Sequence, residues 1–249
     1  KSLLFEYRAG LESMVVQSGH SLAMMLASRN LSTTCALSEI WHGVHQLQTI
    51  KGLTDDLTED KLKSISSDLL SIGKNLFTRN NFKIALIGED HPLSTASSLT
   101  ASIQKALFHS PLEGGKWGVP VNAFAAPEIE FDDKIIREGW STSSAVSFVA
   151  QAFKTVRMEH EDAPALSVIS KILRSMYLHR EIREKGGAYG GFAIYNSEDG
   201  IFNFGSYRDP HISATLKVYD GAADFINSGP FVAEDVKEAI LQVCSGIDR

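Results

Sequence analysis

An arginine and a tyrosine six residues apart, Arg183 and Tyr189, stand among four glycines in the stretch EIREKGGAYGGF, residues 181–192. A guanidinium at a helix end and a phenol just past a turn can converge on one carbonyl oxygen, and a charge-assisted hydrogen bond of that kind contributes roughly 1.5–3 kcal/mol. Such a pair can hold a peptide main chain. The plainer alternative gives Arg183 to the helix dipole and Tyr189 to the core. The glycines divide in the same way. Gly186 and Gly187 fall where a helix C-terminus needs a residue at positive φ, which a structural role explains. Gly190 and Gly191 lie inside a strand, where glycine weakens pairing unless a backbone must come close or a bulge is wanted. Gly187, Ala188, Gly190 and Gly191 make a track of small residues on which an extended peptide can add to a sheet edge. A phosphate cradle is disfavoured, because it needs a strand before the glycines and a helix after them, and here the order is reversed.

The elements that must position this stretch follow from periodicity. Residues 163–185 read as a helix capped by Asp162, with an apolar stripe through Leu166, Ile169, Ile172, Leu173, Met176 and Ile182. After the glycines, GFAIYNSEDGIFNFGSY reads as a hairpin whose loop contains Asp199 and Gly200. Asp209 and Pro210 start a further helix, Gly229 and Pro230 stop it, and AEDVKEAILQVCSGI forms a last one. Upstream, DKIIREG and SSAVSFVAQAFKTV read as strands. Between Leu11 and Phe77 the spacing predicts three helices, followed by a strand FKIALIGE at 82–89 and a helix with Pro92 in its first turn. The stretch SPLEGGKWGVPVNAFAAPEIEF, with three prolines and three glycines, marks a boundary.

Composition narrows the function classes. With 43% apolar and 22% charged residues the 249-residue chain is an ordinary globular sequence with room for one large or two smaller domains. A net charge of −6 and the lack of any basic run with interleaved aromatics argue against nucleic acid. No apolar run approaches the length that crosses a bilayer, so no membrane partner is expected. Cys35 and Cys244, without CxxC spacing, read as inert buried thiols of a reducing compartment. The run EIEFDDK at 128–134 is a candidate acidic rim for basic peptides.

The runs LHREIREKGGAYGGF and FNFGSYRDP resemble the C-terminal half of the presequence proteases, the peptidasome branch of the M16 (pitrilysin and insulysin-like) zinc metallopeptidases. The segments SGHSLAMMLASRNLSTTCALSEIWHG and FVAEDVKEAILQVCSGID are similar to flanking parts of the same half. The resemblance implies an α+β fold made of M16-type units, each an antiparallel-rich sheet with helices on one side. Residues 1–118 would end the third unit, 119–134 form a linker, and 135–249 begin the fourth. It also implies that Arg183 and Tyr189 are the pair that reaches into a closed chamber and grips the scissile segment, with Gly190 and Gly191 keeping the adjacent strand open.

In that family the zinc sits in the N-terminal half, in a His-x-x-Glu-His motif that none of this chain's eight histidines begins. The cofactor implied is therefore zinc bound by the N-terminal half, and this fragment alone should be inactive. His42 and His45 lack a third ligand nearby in sequence and read as filler, and His179 as a polar helix position. The partners implied are short unstructured peptides, such as cleaved targeting sequences, and the N-terminal half of the same protease. The compartment expected is the cytoplasm if the source is bacterial, or alternatively an organelle matrix. Two other readings stand beside this one: a non-catalytic M16-like partner or scaffold subunit, and a plain αβ peptide-binding module.

Overall fold

A computed structural model describes residues 1–78, 81–108, 134, 136–142 and 144–247. The 119–134 linker and the acidic run at 128–134 thus lie outside the described residues, Lys134 excepted. The chain divides into two compact units, residues 1–55 with 129–249, and residues 56–128.

The larger unit begins with α1 (Ser2–Gln17), α2 (Gly19–Ser28), α3 (Thr33–His42) and α4 (Val44–Asp55). The apolar spacing of this region predicts fewer, longer helices, and two local events split them. At Ser18 the backbone leaves the helical region, with φ −128° and ψ 27°. At Gly43 the carboxylate of Glu39 occupies the space a Cβ would need, so a larger residue closing α3 there would have to displace that side chain. The start of α3 is capped by Ser32, whose hydroxyl oxygen accepts from the Cys35 N–H at 3.1 Å. The smaller unit holds α5 (Glu59–Leu76), capped by Thr58, and α6 (Asp90–Phe108), with Pro92 in its first turn as expected. The strand expected at 82–89 does not form: none of these residues is in a strand, and Ile87 is 99% exposed. A strand needs a neighbour to take its main-chain bonds, and the described residues of this unit supply only helices.

The sheet of the larger unit has three antiparallel strands in the order β1–β3–β2, with β1 at Ala150–Lys154, β2 at Gly190–Asn196 and β3 at Ile201–Tyr207. The β2–β3 hairpin turns where Asp199 and Gly200 lie, as the sequence predicts. The first expected strand, DKIIREG, is not one over its described residues, and the second shortens to β1. Between β1 and β2 runs a continuous helix, α-helical in α7 (Ala163–Ile172) and π-wound from Leu173 to Lys185. After the hairpin come α8 (Ile212–Asp220), α9 (Ala222–Ser228) and α10 (Ala233–Ile247).

The architecture is α+β, with helices on both faces of the sheet rather than one. On one face, Gly205 lies under Met24 of α2. On the other, Leu173, Leu178 and Ile182 of the π-wound segment form the core with Ala193, Phe202, Phe204, Tyr219 and Ala222. Each fully buried Leu or Ile there contributes about 1.5–3 kcal/mol. Tyr219 stacks on Phe204 at 5.1 Å and donates its hydroxyl to the Val149 carbonyl at 3.0 Å, and burial pushes its phenol up from its ordinary value. Asp209, expected to start the next helix, is not its N-cap, which is His211; buried, its carboxylate instead accepts from the Thr215 hydroxyl at 2.6 Å and the His211 N–H at 2.8 Å. The thiols are more open than expected, Cys35 half-buried and Cys244 exposed.

Candidate functional site

The π-wound segment ends on Gly187, whose φ of 75° admits glycine readily. Its N–H donates to the Arg183 carbonyl at 3.1 Å, and the Ala188 N–H reaches back to the Ile182 carbonyl at 3.1 Å, which satisfies two acceptors near the end of the helix. Gly186, expected to share that role, keeps an ordinary φ of −85°. The turn carries the chain straight into the end of β2, where the Tyr189 N–H donates to the Tyr207 carbonyl at 3.0 Å.

This geometry brings Arg183 and Tyr189 together on the surface. The guanidinium carbon of Arg183 lies 5.8 Å from the Tyr189 ring centroid, and Tyr189 is 66% exposed. The contact is a cation–π pair, and neither group enters the core. Tyr189 meets Tyr207 edge to face at 5.6 Å, and Tyr207 meets His20 of α2 at 5.0 Å. His20 in turn stacks on Phe192 at 5.2 Å, so four rings run along the end of one sheet face. Guanidinium groups cover three of them: Arg183 over Tyr189, Arg208 over Tyr207 at 5.4 Å, and Arg174 over Phe192 at 5.3 Å.

Arg183 keeps its charge available because its acidic neighbours are engaged elsewhere. Glu181 takes Lys185 and Arg180, each at 2.9 Å, and the Lys185 hydrogen bond holds its carboxyl below the usual range. Glu184 pairs with His179 at 3.3 Å. The other ring nitrogen of His179 stands 3.4 Å from the Arg183 guanidinium, so a residue read as a plain helix position lies beside the pair. The signal for it was the i,i+4 spacing of His179 and Arg183.

The small residues of the expected track are placed unequally. Ala188, 4% exposed, and Gly191 are both buried. A Cβ on Gly191 would lie 3.1 Å from Leu178 Cβ and 3.2 Å from Ile182 Cδ1, so this glycine lets the helix close on the sheet. Gly190 is half-buried. β2 is an outer strand of the sheet formed by the described residues. Because Val149 and Thr155 bond to Ser206 and Gly200, the odd-numbered residues of β3 face β2, and the main chains of Gly191, Ala193 and Tyr195 point outward.

Among the described residues no group of three or more His, Cys, Asp or Glu side chains could hold a metal ion. His45, read as filler, has a carboxylate against it: its Nδ1 is 2.8 Å from the buried Glu39, brought there by the turn at Gly43, while His42 is exposed. Zinc does not fit the groups described here, and no chemical step is assigned to it.

The sequence profile described as "PreP C-terminal domain" matches residues 140–249, and the profile of a segment associated with the C subfamily of M16 peptidases matches residues 1–53. The chain is 31% identical to the mitochondrial presequence proteases of Xenopus laevis and Danio rerio over 94% and 96% of its length. It is 27% identical to the chloroplastic/mitochondrial presequence protease 1 of Arabidopsis thaliana over all of its length. It spans about a quarter of the length of these curated relatives, 24%, 24% and 22%. With profiles of that family at both ends and relatives of that name along nearly all of it, the chain belongs to the presequence protease family of the M16 peptidases.

Proposed function

We propose that this chain is the substrate-binding, C-terminal part of a zinc metalloendopeptidase that degrades short unstructured peptides, such as cleaved targeting peptides. In such an assembly residues 1–118 close one M16-type unit, 135–249 open the next, and the metal is held by the N-terminal half. The observation that carries the reading is the exposed Arg183–Tyr189 pair at the end of an outer strand.

An extended peptide lying along β2 can exchange main-chain bonds with Gly191, Ala193 and Tyr195, which fixes its direction and register. The Arg183 guanidinium and the Tyr189 hydroxyl then donate to a carbonyl oxygen of that peptide. They bind it more tightly as negative charge grows on it, and loss of one such donor costs about 10² to 10³ in rate. His179, against Arg183 and Glu184, restrains where the guanidinium points. The relatives' names, mitochondrial and chloroplastic, favour an organelle matrix over a bacterial cytoplasm.

The test uses the complete protein that contains this chain and an internally quenched unstructured peptide. Arg183→Ala and Tyr189→Phe each lower turnover by roughly 10² to 10³ while bound zinc is unchanged; Tyr189→Phe keeps the ring under the guanidinium and removes only the hydroxyl. Unaltered turnover in both variants removes the assignment.

A further inference from the structure

We infer that Arg208 is a second cationic anchor of this site, one that takes a carboxylate of the bound peptide. The inference rests on the peptidase reading above and adds to it the kind of group recognised beside the scissile segment.

The backbone at Arg208 is unusual, and the sheet register shows how it arises. Val149 accepts from the Ser206 N–H, and two residues earlier Ser147 exchanges both main-chain bonds with Asp209 at 2.9 and 2.8 Å. One residue of the β1 side, Phe148, therefore opposes two on the β3 side, Tyr207 and Arg208, which is a bulge. Arg208 adopts φ 51°, and it is the one non-glycine residue at positive φ among the described residues. Glycine accepts that conformation without a steric penalty and an arginine does not. A bulge can re-aim a side chain, and here the guanidinium is laid over Tyr207 at 5.4 Å. Tyr207 meets Tyr189 at 5.6 Å, so two guanidinium groups bracket two tyrosine rings.

Arg208 is exposed, and among the described residues no carboxylate lies within ion-pair distance of it. Its neighbour Asp209 is buried and committed to Thr215 and His211. In a chain with thirty acidic residues and a net charge of −6, an outward-facing guanidinium held by a strained backbone is a site prepared for a carboxylate from elsewhere. Its planar fork of donors matches a carboxylate with two parallel hydrogen bonds. The two spacings from the Tyr189 ring, 5.6 and 5.4 Å, place that carboxylate within about three residues of extended chain from the gripped carbonyl. It comes either from an acidic side chain or from the peptide's C-terminus.

The experiment compares the complete protein with its Arg208→Gly and Arg208→Lys variants on two series of quenched peptides. One series has Glu or Gln at each of three positions on either side of the cleaved bond, and the other ends in a free acid or an amide. The wild type shows a KM lower by roughly ten- to hundredfold for the acidic member at one glutamate position or at the C-terminus, which identifies the source. Arg208→Gly erases that preference by raising KM for the acidic peptide alone, leaves kcat nearly unchanged, and does not lower the thermal midpoint. Arg208→Lys keeps part of the preference. The inference fails if the wild type separates neither pair while Arg183→Ala still abolishes turnover, or if Arg208→Gly weakens acidic and neutral peptides equally. A wild type that cleaves no peptide overturns both this inference and the peptidase reading.

Discussion

Gly191→Ala separates two explanations of the glycine track. If Gly191 is small to let a peptide approach, alanine there weakens peptide binding and leaves the fold alone. The packing argues the opposite. A Cβ at 191 would stand 3.1 Å from Leu178 Cβ, 3.2 Å from Ile182 Cδ1 and 3.3 Å from Ile182 Cβ. These separations are a few tenths of an ångström short of the ~3.5–4.0 Å optimum for carbon pairs. Ile182 Cδ1 can swing aside, but the two Cβ atoms are fixed to a helix that is buried along this stripe. Overpacking of this kind costs about 1–3 kcal/mol. A local loss of that size lowers hydrogen-exchange protection of the β2 amides roughly five- to 150-fold in the complete protein. Gly190→Ala is the control, because its Cβ would meet nothing closer than the Phe192 ring at 3.4 Å, and its protection should change little. Trimming Ile182 to Val in the Gly191→Ala background restores part of the protection, since it removes the Cδ1 contact. Unchanged β2 protection in Gly191→Ala, with peptide KM raised, refutes the packing argument.

Burial holds the His20 imidazole below its ordinary value of 6.5, between Phe192 and Tyr207, with Nδ1 unpartnered among the described residues. The unfolded chain then takes up the proton first, so the stability His20 supports is full above about pH 6.5 and is lost as pH falls from there through the folded value. Thermal midpoints measured from about pH 7.5 to 4.5 should fall more steeply for wild type than for His20→Phe, and parallel curves refute this. Asp209→Ala leaves the Thr215 hydroxyl and the His211 N–H without their acceptor. It should destabilise by about 2–4 kcal/mol in denaturant unfolding, and a change below about 0.5 kcal/mol refutes the role given to this carboxylate.

The hairpin, the last helix and the pairing of Arg183 with Tyr189 were legible because each has a local cause. Alternating apolar residues make β2 and β3, Gly200 lies in their turn, and the glycine at 187 ends a helix on which Arg183 occupies the last turn. What stayed hidden depends on distant groups. The helix breaks at Ser18 and Gly43 leave no clear signal in a hydrophobic period, and the Gly43 break is fitted to the Glu39 side chain. The strand expected at 82–89 has the right residues, but a strand is defined by its partner, which periodicity cannot supply. Arg208 has no signal in the sequence, because a bulge is a property of two strands in register and nothing in SYRDP announces a positive φ.

The winding of the helix before the glycines decides where the site's cations point. Leu173 and Ile182, nine residues apart, are both buried, and Leu178 between them is completely so. At the ~100° per residue of an α-helix, positions nine apart face opposite ways, and a regular helix could not bury both ends of that set. The wider π turn, with i→i+5 bonding and roughly 80° per residue, returns positions nine apart to one face. The α-period therefore favours Met176 where the structure buries Leu178. The same rotation acts on the neighbouring row, Arg174, His179 and Arg183, spaced five and four apart. It places Arg174 over Phe192 and Arg183 over Tyr189, both residues of the one sheet end. An α-helical course from Leu173 would leave one of these guanidinium groups facing away from the rings. The burial of Leu178 and Ile182 offsets the poorer hydrogen bonding of the π turn, and the alignment of the arginines follows from it. Core packing of one row of this helix thus sets the charge pattern of the row beside it.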